Sequence, residues 1–273
     1  MLIVSARLPM KGSADARKIR RLEARMKRLQ DKHLRYYIPN EIDRLYTENG
    51  ASGMNASTGQ DMTTYFINLP ANKIELWARI ESDRLLHPVF RQFYTERDVI
   101  LEERRQRVEA SPDGKLYEAF MERAYSTHPY GIPIVGLPKD LTFMSPAAIH
   151  AIHRKYLSPR RIVIAVVGDI DPSKTMELIR RYFGKIPDAG APAARIPAEP
   201  EQKAERKAQV WFDASPSMII GYHKPAPPAR EDYVFDVLET ILSKGRTSRL
   251  YDRLVISRQI AQSISAANGV PAA

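Results

Sequence analysis

The spacing of apolar residues predicts amphipathic helices in the first half of the chain. In NKIELWARIESDRLLHP (72–88), Ile74, Trp77, Ile80 and Leu85 recur near helical spacing, and a His-Pro pair ends the pattern. Similar patterns predict helices over IPNEIDRLYTENG, around 115–125, and over SPAAIHAIHRKYL and PSKTMELIRRYFGKI. The chain up to residue 186 is therefore expected to be rich in helix.

One predicted helix, over 93–109, carries two carboxylates on the same face as its apolar residues. Its stretch TERDVILEERRQ contains Glu96 and Glu103, which are seven residues apart, so two helical turns return them to one face. Val99 and Ile100 lie between them. A buried carboxylate is costly unless it is paired or binds a metal. The residues alone favour local ion pairs, such as Glu103 with Arg107 one turn on, over a metal site.

Short runs of β-branched and aromatic residues predict strands. SGMNAST and MTTYFINL, separated by GQD, indicate a hairpin, and RRIVIAVVGDI (160–170) indicates a buried strand followed by a helix. AQVWFDA (208–214) and SMIIGYHK (217–224) are interpreted as two more strands, followed by helices over DYVFDVLETILSKG and SRLYDRLVISRQIAQSI. This order predicts an α+β fold, with helices on one face of antiparallel-rich sheets.

Composition divides the chain into four predicted parts. The segment 187–207 is rich in Ala, Pro and charge without apolar periodicity, which is typical of an interdomain linker. We therefore predict an N-terminal part with a basic helix (1–36), a first domain (37–186), this linker, and the start of a second domain (208–273).

The positive charge is concentrated near the N-terminus. The chain carries a formal net charge of +10, and residues 17–35 contain nine Lys/Arg against Glu23 and Asp31, a net +7. Nucleic acid or another anionic surface could bind there, but the segment lacks the interleaved aromatic residues on which bases stack, so nucleic-acid binding is not favoured. Apolar residues at helical spacing (Ile19, Leu22, Met26 and Leu29) favour a solvated basic helix that rests on another part of the fold.

Several chemistries are excluded or weakly supported. The chain has no cysteine, so a metal would need His, Asp or Glu ligands. His150 and His153 are spaced for zinc on a helix, but Arg154 and Lys155 make their surroundings cationic, and His128 in a Pro/Gly loop is interpreted as structural. There is no Gly-x-Ser-x-Gly elbow, no apolar run that approaches a membrane span, and no recognisable signal peptide.

Five blocks in order resemble the pitrilysin/insulinase family of zinc metallopeptidases over about 37–265. The blocks are GASGMNASTGQDMTTYFINLP, ELWARIESDRLLHPVFRQFYTERDVILEERRQ, HPYGIPIVG, IVIAVVGDIDPSK with YFGKIP, and GRTSRLYDRLV. The resemblance implies a metallopeptidase-like α/β roll domain followed by part of a homologous second one. It also implies that Glu103 is the third zinc ligand, that Glu96 orients a ligand histidine, and that Asn55 and Ala56 lie on the edge strand that receives substrate.

The sequence departs from the family at its motif. No His-x-x-Glu-His occurs in the chain, and the register set by Met10-Lys11-Gly12-Ser13 places Ile3-Val4-Ser5-Ala6-Arg7 there. The general-base Glu is thus absent, and an Arg would repel a cation. Two further family positions, an Arg and a Tyr that polarise the substrate carbonyl, align with Val255 and Gln262.

These observations predict a zinc metalloendopeptidase homologue that is catalytically inactive as the chain stands, whether through truncation, a mis-assigned start or true loss. We expect zinc not to be bound tightly, and Glu96 and Glu103 to have raised pKa values or an Arg partner. The alternatives are a non-catalytic peptide-binding or partner subunit of an active homologue and, less favoured, a nucleic-acid-binding protein. The resemblance implies a peptide or protein substrate and a periplasmic location.

Overall fold

The computed structural model describes residues 13–36, 38–188, 190 and 195–269. The predicted motif register at Ile3–Arg7 lies outside these residues. In the described part the helices are α1 (Ser13–Leu34), α2 (Glu41–Glu48), α3 (Ile74–Leu86), α4 (Phe93–Arg104), α5 (Pro112–Ala124), α6 (Pro138–Phe143), α7 (Pro146–Tyr156), α8 (Pro172–Phe183) and α9 (Arg230–Ser243). The strands there are β1 (Ser52–Thr58) and β2 (Thr63–Asn68). Short 3₁₀ turns occur at Ala71–Lys73, Pro129–Gly131 and Pro159–Arg161, and π-helical segments at Arg105–Glu109 and Tyr251–Ser257.

The chain folds into two compact units. The described part of the first unit contains residues 13–36, 38–52, 68–91 and 168–183. The second unit contains 53–67, 92–167 and the described residues after 183. The α+β class is confirmed, because helices are combined with a small antiparallel sheet. That sheet is the predicted hairpin of β1 and β2.

The first unit is built around α3 and α8. The rings of Trp77 and Phe183 lie 5.4 Å apart between these helices, which gives the predicted apolar face of α3 a partner. Tyr46 of α2 is 1% exposed and donates a hydrogen bond to Glu81 Oε1 at 2.6 Å. Burial, followed by the neighbouring Glu81, raises the pKa of the Tyr46 phenol. This hydrogen bond joins α2 to α3 across the unit.

Within the part of the chain that the structure describes, the apolar face of α1 does not rest on another element, contrary to the sequence prediction. Four side chains on this face are 43–57% exposed: Ile19, Leu22, Met26 and Leu29. The helix itself forms as predicted. Helical spacing of apolar residues specifies which side of a helix is apolar, but it does not specify what covers that side.

Local sequence signals determine the helix boundaries in the second unit. The hydroxyls of Ser111 and Ser145 accept the backbone N–H groups of Gly114 and Ala148, which starts α5 and α7 as caps followed by proline. Gly114 also permits a close approach of backbone segments. A Cβ atom at this position would lie 2.1 Å from the carbonyl oxygen of Arg107. Glycine therefore allows the chain to turn directly from α4 into α5.

Three predicted strands are not formed. The segments 160–170, 208–214 and 217–224 belong to no hydrogen-bonded sheet in the described part of the chain. The first keeps the alternation of a strand: Ile162 and Ile164 are half-buried, whereas Val163 and Val167 are 94% and 97% exposed. A strand needs a neighbour for its backbone groups, and alternation alone cannot supply one. The predicted helix over 248–264 is likewise reduced to a π-helical segment within that range.

Within the second unit, Glu199 attaches the predicted linker to the loop after α5. Its carboxylate accepts backbone N–H groups from Ser126, Thr127 and His128 at 2.8–3.0 Å and the Ser126 hydroxyl at 2.7 Å. Arg206 adds an ion pair at 3.3 Å, and the Glu199 side chain is only 10% exposed. Burial alone would raise the pKa of Glu199, but the hydrogen bonds from these donors outweigh it and lower the pKa below its ordinary value.

We predict that Glu199→Gln destabilises the chain at neutral pH and removes part of its acid sensitivity. Because the folded-state pKa of Glu199 is lowered, its stabilisation is complete above the unfolded-state pKa near 4.5 and is lost as the pH falls toward the folded-state value. We expect a loss of about 1–3 kcal/mol at pH 7 and a shallower decline of stability below about pH 5. Urea unfolding between about pH 2 and pH 7 measures both.

The matched control is Glu205→Gln, since Glu205 pairs with Lys207 in an exposed ion pair. Its effect should stay below about 0.5 kcal/mol across the same pH range. Parallel pH profiles for the two variants would contradict the assignment to Glu199.

Candidate functional site

The two predicted zinc-site carboxylates lie on α4, but not on a buried face. Glu96 is exposed and the Glu103 side chain is 39% exposed. Val99 is 53% exposed and Ile100 is half-buried. The expectation that these carboxylates share a packing face is therefore wrong. The residue of α4 that is buried is Arg104, at 4% exposure.

Both carboxylates near the end of α4 are engaged by arginines of the next turn. Glu103 forms an ion pair with Arg107, with 2.7 Å between Oε1 and Nη1. Glu102 accepts two hydrogen bonds from Arg105 at 2.7 and 2.9 Å and one from Gln106. The hydrogen bonds from Arg105, and then from Gln106, lower the pKa of Glu102 to about 2. The ion pair that the sequence favoured for Glu103 is thus present.

The described side chains do not fit a zinc site. In residues 13–36, 38–188, 190 and 195–269, no cluster of three or more His, Asp or Glu side chains could hold a metal ion. His150 and His153 both lie on α7, where burial and then the charge of His150 lower the pKa of His153. With its carboxylate paired to Arg107, Glu103 offers one occupied ligand where catalytic zinc needs three protein ligands. Its role as a zinc ligand stays a prediction.

The predicted peptide-binding residues lie on β1. All seven residues of this strand are exposed. Asn55 and Ala56 are adjacent, and the Ala56 N–H donates to Asn55 Oδ1 at 2.8 Å. β1 pairs with β2, and no other strand in the described part of the chain pairs with it. The hairpin therefore presents an open strand edge, which can accept an extended peptide.

The loop sequence HPYG holds the hairpin in place. Tyr130 is 5% exposed, and its hydroxyl donates to the carboxylate of Asp61 in the hairpin turn, with Oδ1 at 2.8 Å and Oδ2 at 3.0 Å. Burial, and then the hydrogen bond with Asp61, raises the pKa of Tyr130 to about 12. The rings of His128 and Tyr130 lie 4.1 Å apart, and those of Tyr125 and Tyr130 5.4 Å apart. His128 is thus part of the packing around Tyr130, as its loop context suggested.

Arg104 is the residue that sequence reasoning missed. Its guanidinium donates to the carbonyl oxygen of Gly136 at 2.9 Å and to Glu118 of α5 at 2.5 Å. These contacts join α4 to α5 and to the loop before α6. The partners are 14 and 32 residues away, so no local spacing in the sequence could reveal them.

Two family models match this chain. The model described as insulinase (peptidase family M16) matches residues 34–137, and the model described as the M16 peptidase inactive domain matches residues 144–270. The chain belongs to peptidase family M16. The resemblance drawn from the five sequence blocks is confirmed.

Named relatives and solved structures support the same family assignment. The zinc protease PqqE of Helicobacter pylori is 33% identical over 229 residues, covering 81% of this chain and 51% of that protein. A protease from H. pylori of known crystal structure has a TM-score of 0.68 at 29% identity, covering 82% and 55% of the two chains. The M16 inactive domain from Pseudomonas fluorescens shares the fold, with a TM-score of 0.66 at 19% identity and coverage of 82% and 54%. The chain spans about half the length of the relatives it matches.

We predict that Arg104→Met destabilises the second unit far more than Arg107→Met. Removing Arg104 takes the closer of two cation partners from Glu118, whose side chain is 18% exposed, and leaves it with Lys115 at 3.5 Å. It also removes the donor to the Gly136 carbonyl oxygen. The expected cost is about 2–3 kcal/mol, against less than about 1 kcal/mol for the exposed Arg107. Urea unfolding of the two variants measures the difference. Equal losses would show that Arg104 does not hold α4 in place.

Proposed function

We propose that this chain is a non-catalytic M16 protein that binds extended peptide segments and does not hydrolyse them. The observation that carries the proposal is the state of Glu103. The chain has no His-x-x-Glu-His, the described part has no metal-binding cluster, and the Glu103 carboxylate is held by Arg107. Without a metal-activated water and a general base, peptide-bond hydrolysis lacks its nucleophile.

The open edge of β1 supports peptide binding. An added strand gains its affinity from backbone hydrogen bonds, which do not depend on a metal. The hairpin is held at its turn by Tyr130, and the side chains of β1 are exposed. A fixed edge loses little entropy when a peptide pairs with it. Peptide binding is therefore available to a chain that cannot cleave.

A homologous partner would extend this function. The relatives are named as zinc proteases and are about twice as long as the part that this chain matches. We infer that this chain associates with a homologous subunit that carries the His-x-x-Glu-His motif. In such a pair, β1 contributes to the binding of a shared peptide or protein substrate. Cleavage would then depend on the partner's ligands, and zinc would not be bound tightly by this chain alone.

Zinc content and proteolysis of the purified chain test the inactive assignment. We expect well under one zinc per chain by elemental mass spectrometry and no cleavage of fluorescein-labelled casein. We also expect Glu103→Gln to change neither result, because its carboxylate pairs with Arg107. One tightly bound zinc per chain, with casein cleavage that Glu103→Gln abolishes, would overturn the proposal.

Binding of the same labelled casein tests the edge strand independently of cleavage. Ala56→Pro removes a backbone N–H and is incompatible with a paired strand, so we expect affinity to fall by about tenfold or more. Ala56→Val at the same position keeps the N–H and suits a strand, so affinity should be retained. Fluorescence anisotropy measures both, with circular dichroism to verify folding. Equal affinity for the Pro and Val variants would place binding elsewhere than β1.

A further inference from the structure

Helix α1 presents a surface that the proposed function does not use. It has 22 residues, and four of its large apolar side chains stand 43–57% exposed. Beside them lies a row of Lys and Arg. An exposed apolar stripe next to one sign of charge is typical of an interaction surface.

The apolar stripe has the spacing of a coiled-coil seam. Ile19, Leu22, Met26 and Leu29 follow one another at intervals of three, four and three residues. This places Ile19 and Met26 at heptad positions a, and Leu22 and Leu29 at positions d. A stripe confined to a and d is narrower than the apolar face of a helix that lies in a bilayer surface. Its width suits one partner helix.

The two sides of the seam differ in charge. Lys18, Arg25 and Lys32 occupy successive g positions on one side, and they lie together with Leu22, Leu29, Arg21 and Arg28 on one face of the helix. On the other side Glu23 occupies an e position. In the described part of the chain no ion pair is formed by Lys18, Arg25 or Lys32. A partner with carboxylates facing this row would gain attraction along the whole seam.

We propose that α1 binds an acidic amphipathic helix of a partner protein, whose apolar residues fill the a/d seam and whose Glu or Asp side chains face the g-position cations. Charge complementarity selects this occupant. A second copy of this chain would place a segment of net charge +7 against another, and in an antiparallel pair the g positions would face each other. Duplex nucleic acid would use the cations but leave the apolar seam in water.

A pair of synthetic helical peptides tests the proposal with the full chain. Each peptide has three heptads, with Ile at a and Leu at d; one carries Glu at every e and g position, and the other carries Lys there. We expect the Glu peptide to bind about tenfold or more tightly than the Lys peptide near physiological salt. Fluorescence anisotropy of the labelled peptides measures affinity, and circular dichroism verifies that each protein variant is folded.

Charge reversal distinguishes binding at the seam from nonspecific electrostatic attraction between an acidic peptide and the basic helix. In the variant Lys18→Glu/Arg25→Glu/Lys32→Glu, the preference should invert toward the Lys peptide. The matched control Arg17→Glu/Arg20→Glu/Lys27→Glu changes the net charge equally at positions away from the seam, so its preference for the Glu peptide should persist. Leu22→Asn/Leu29→Asn should reduce binding of the Glu peptide about tenfold or more, since it places polar groups in the seam.

Four outcomes would overturn the proposal. The first is an equal loss of preference in the control variant, and the second is binding of the Glu peptide that survives Leu22→Asn/Leu29→Asn. The third is concentration-dependent dimerisation that those Asn substitutions abolish. The fourth is binding to phosphatidylglycerol vesicles or duplex DNA, in place of the Glu peptide, that depends on Leu22 and Leu29. The casein-binding test at Ala56 concerns β1, so failure of either proposal leaves the other result interpretable.

Discussion

The buried guanidinium of Arg104 sets how α4 is oriented, and the arrangement of the candidate site depends on that orientation. A helix advances about 100° per residue, so turning Arg104 toward Glu118 and Gly136 turns Glu103 to the flank of the helix. Glu96, two turns earlier, lies on nearly the same flank. A buried charge that loses its partner is far more costly than an exposed ion pair that is broken. Arg104 therefore constrains the helix, while the pairing of Glu103 with Arg107 follows from where that constraint leaves it.

The elements that the sequence predicts well are those whose causes are local. The helices α3, α4 and α7 and the β1–β2 hairpin follow from apolar spacing, from serine caps with proline, and from a short turn. The three strand predictions outside the hairpin failed because their cause is not local. Val163 and Val167 have the β-branched side chains and alternation of a strand, but strand formation needs a neighbour that alternation does not encode. The same holds for α1: its apolar spacing specifies which side of the helix is apolar, but it does not encode what covers that side.

In the candidate site too, some features could be predicted from the sequence and others could not. The family resemblance indicated Glu96, Glu103, Asn55 and Ala56 by position, and the structure places them on α4 and β1. The contacts that hold these elements in place could not be predicted from local sequence patterns, because the partners are far apart in the chain. Tyr130 and Asp61 are 69 residues apart, and Glu199 meets the Ser126 backbone across 73 residues. A buried carboxylate such as Glu199 is tolerated only because the fold brings several donors to it, and no single segment contains that information.

In the described part of the chain, two surfaces lack their complement, and each is selective in a different way. The edge of β1 offers backbone hydrogen bonds, which accept any extended segment that can pair with it. The seam of α1 combines apolar contact with a row of cations, so it discriminates by charge as well as shape. The segments around 163–167 and 208–222 expose Val163, Trp211, Met218 and Tyr222 by 94%, 85%, 78% and 87%. Apolar surface of this extent is costly in water, and covering it favours association.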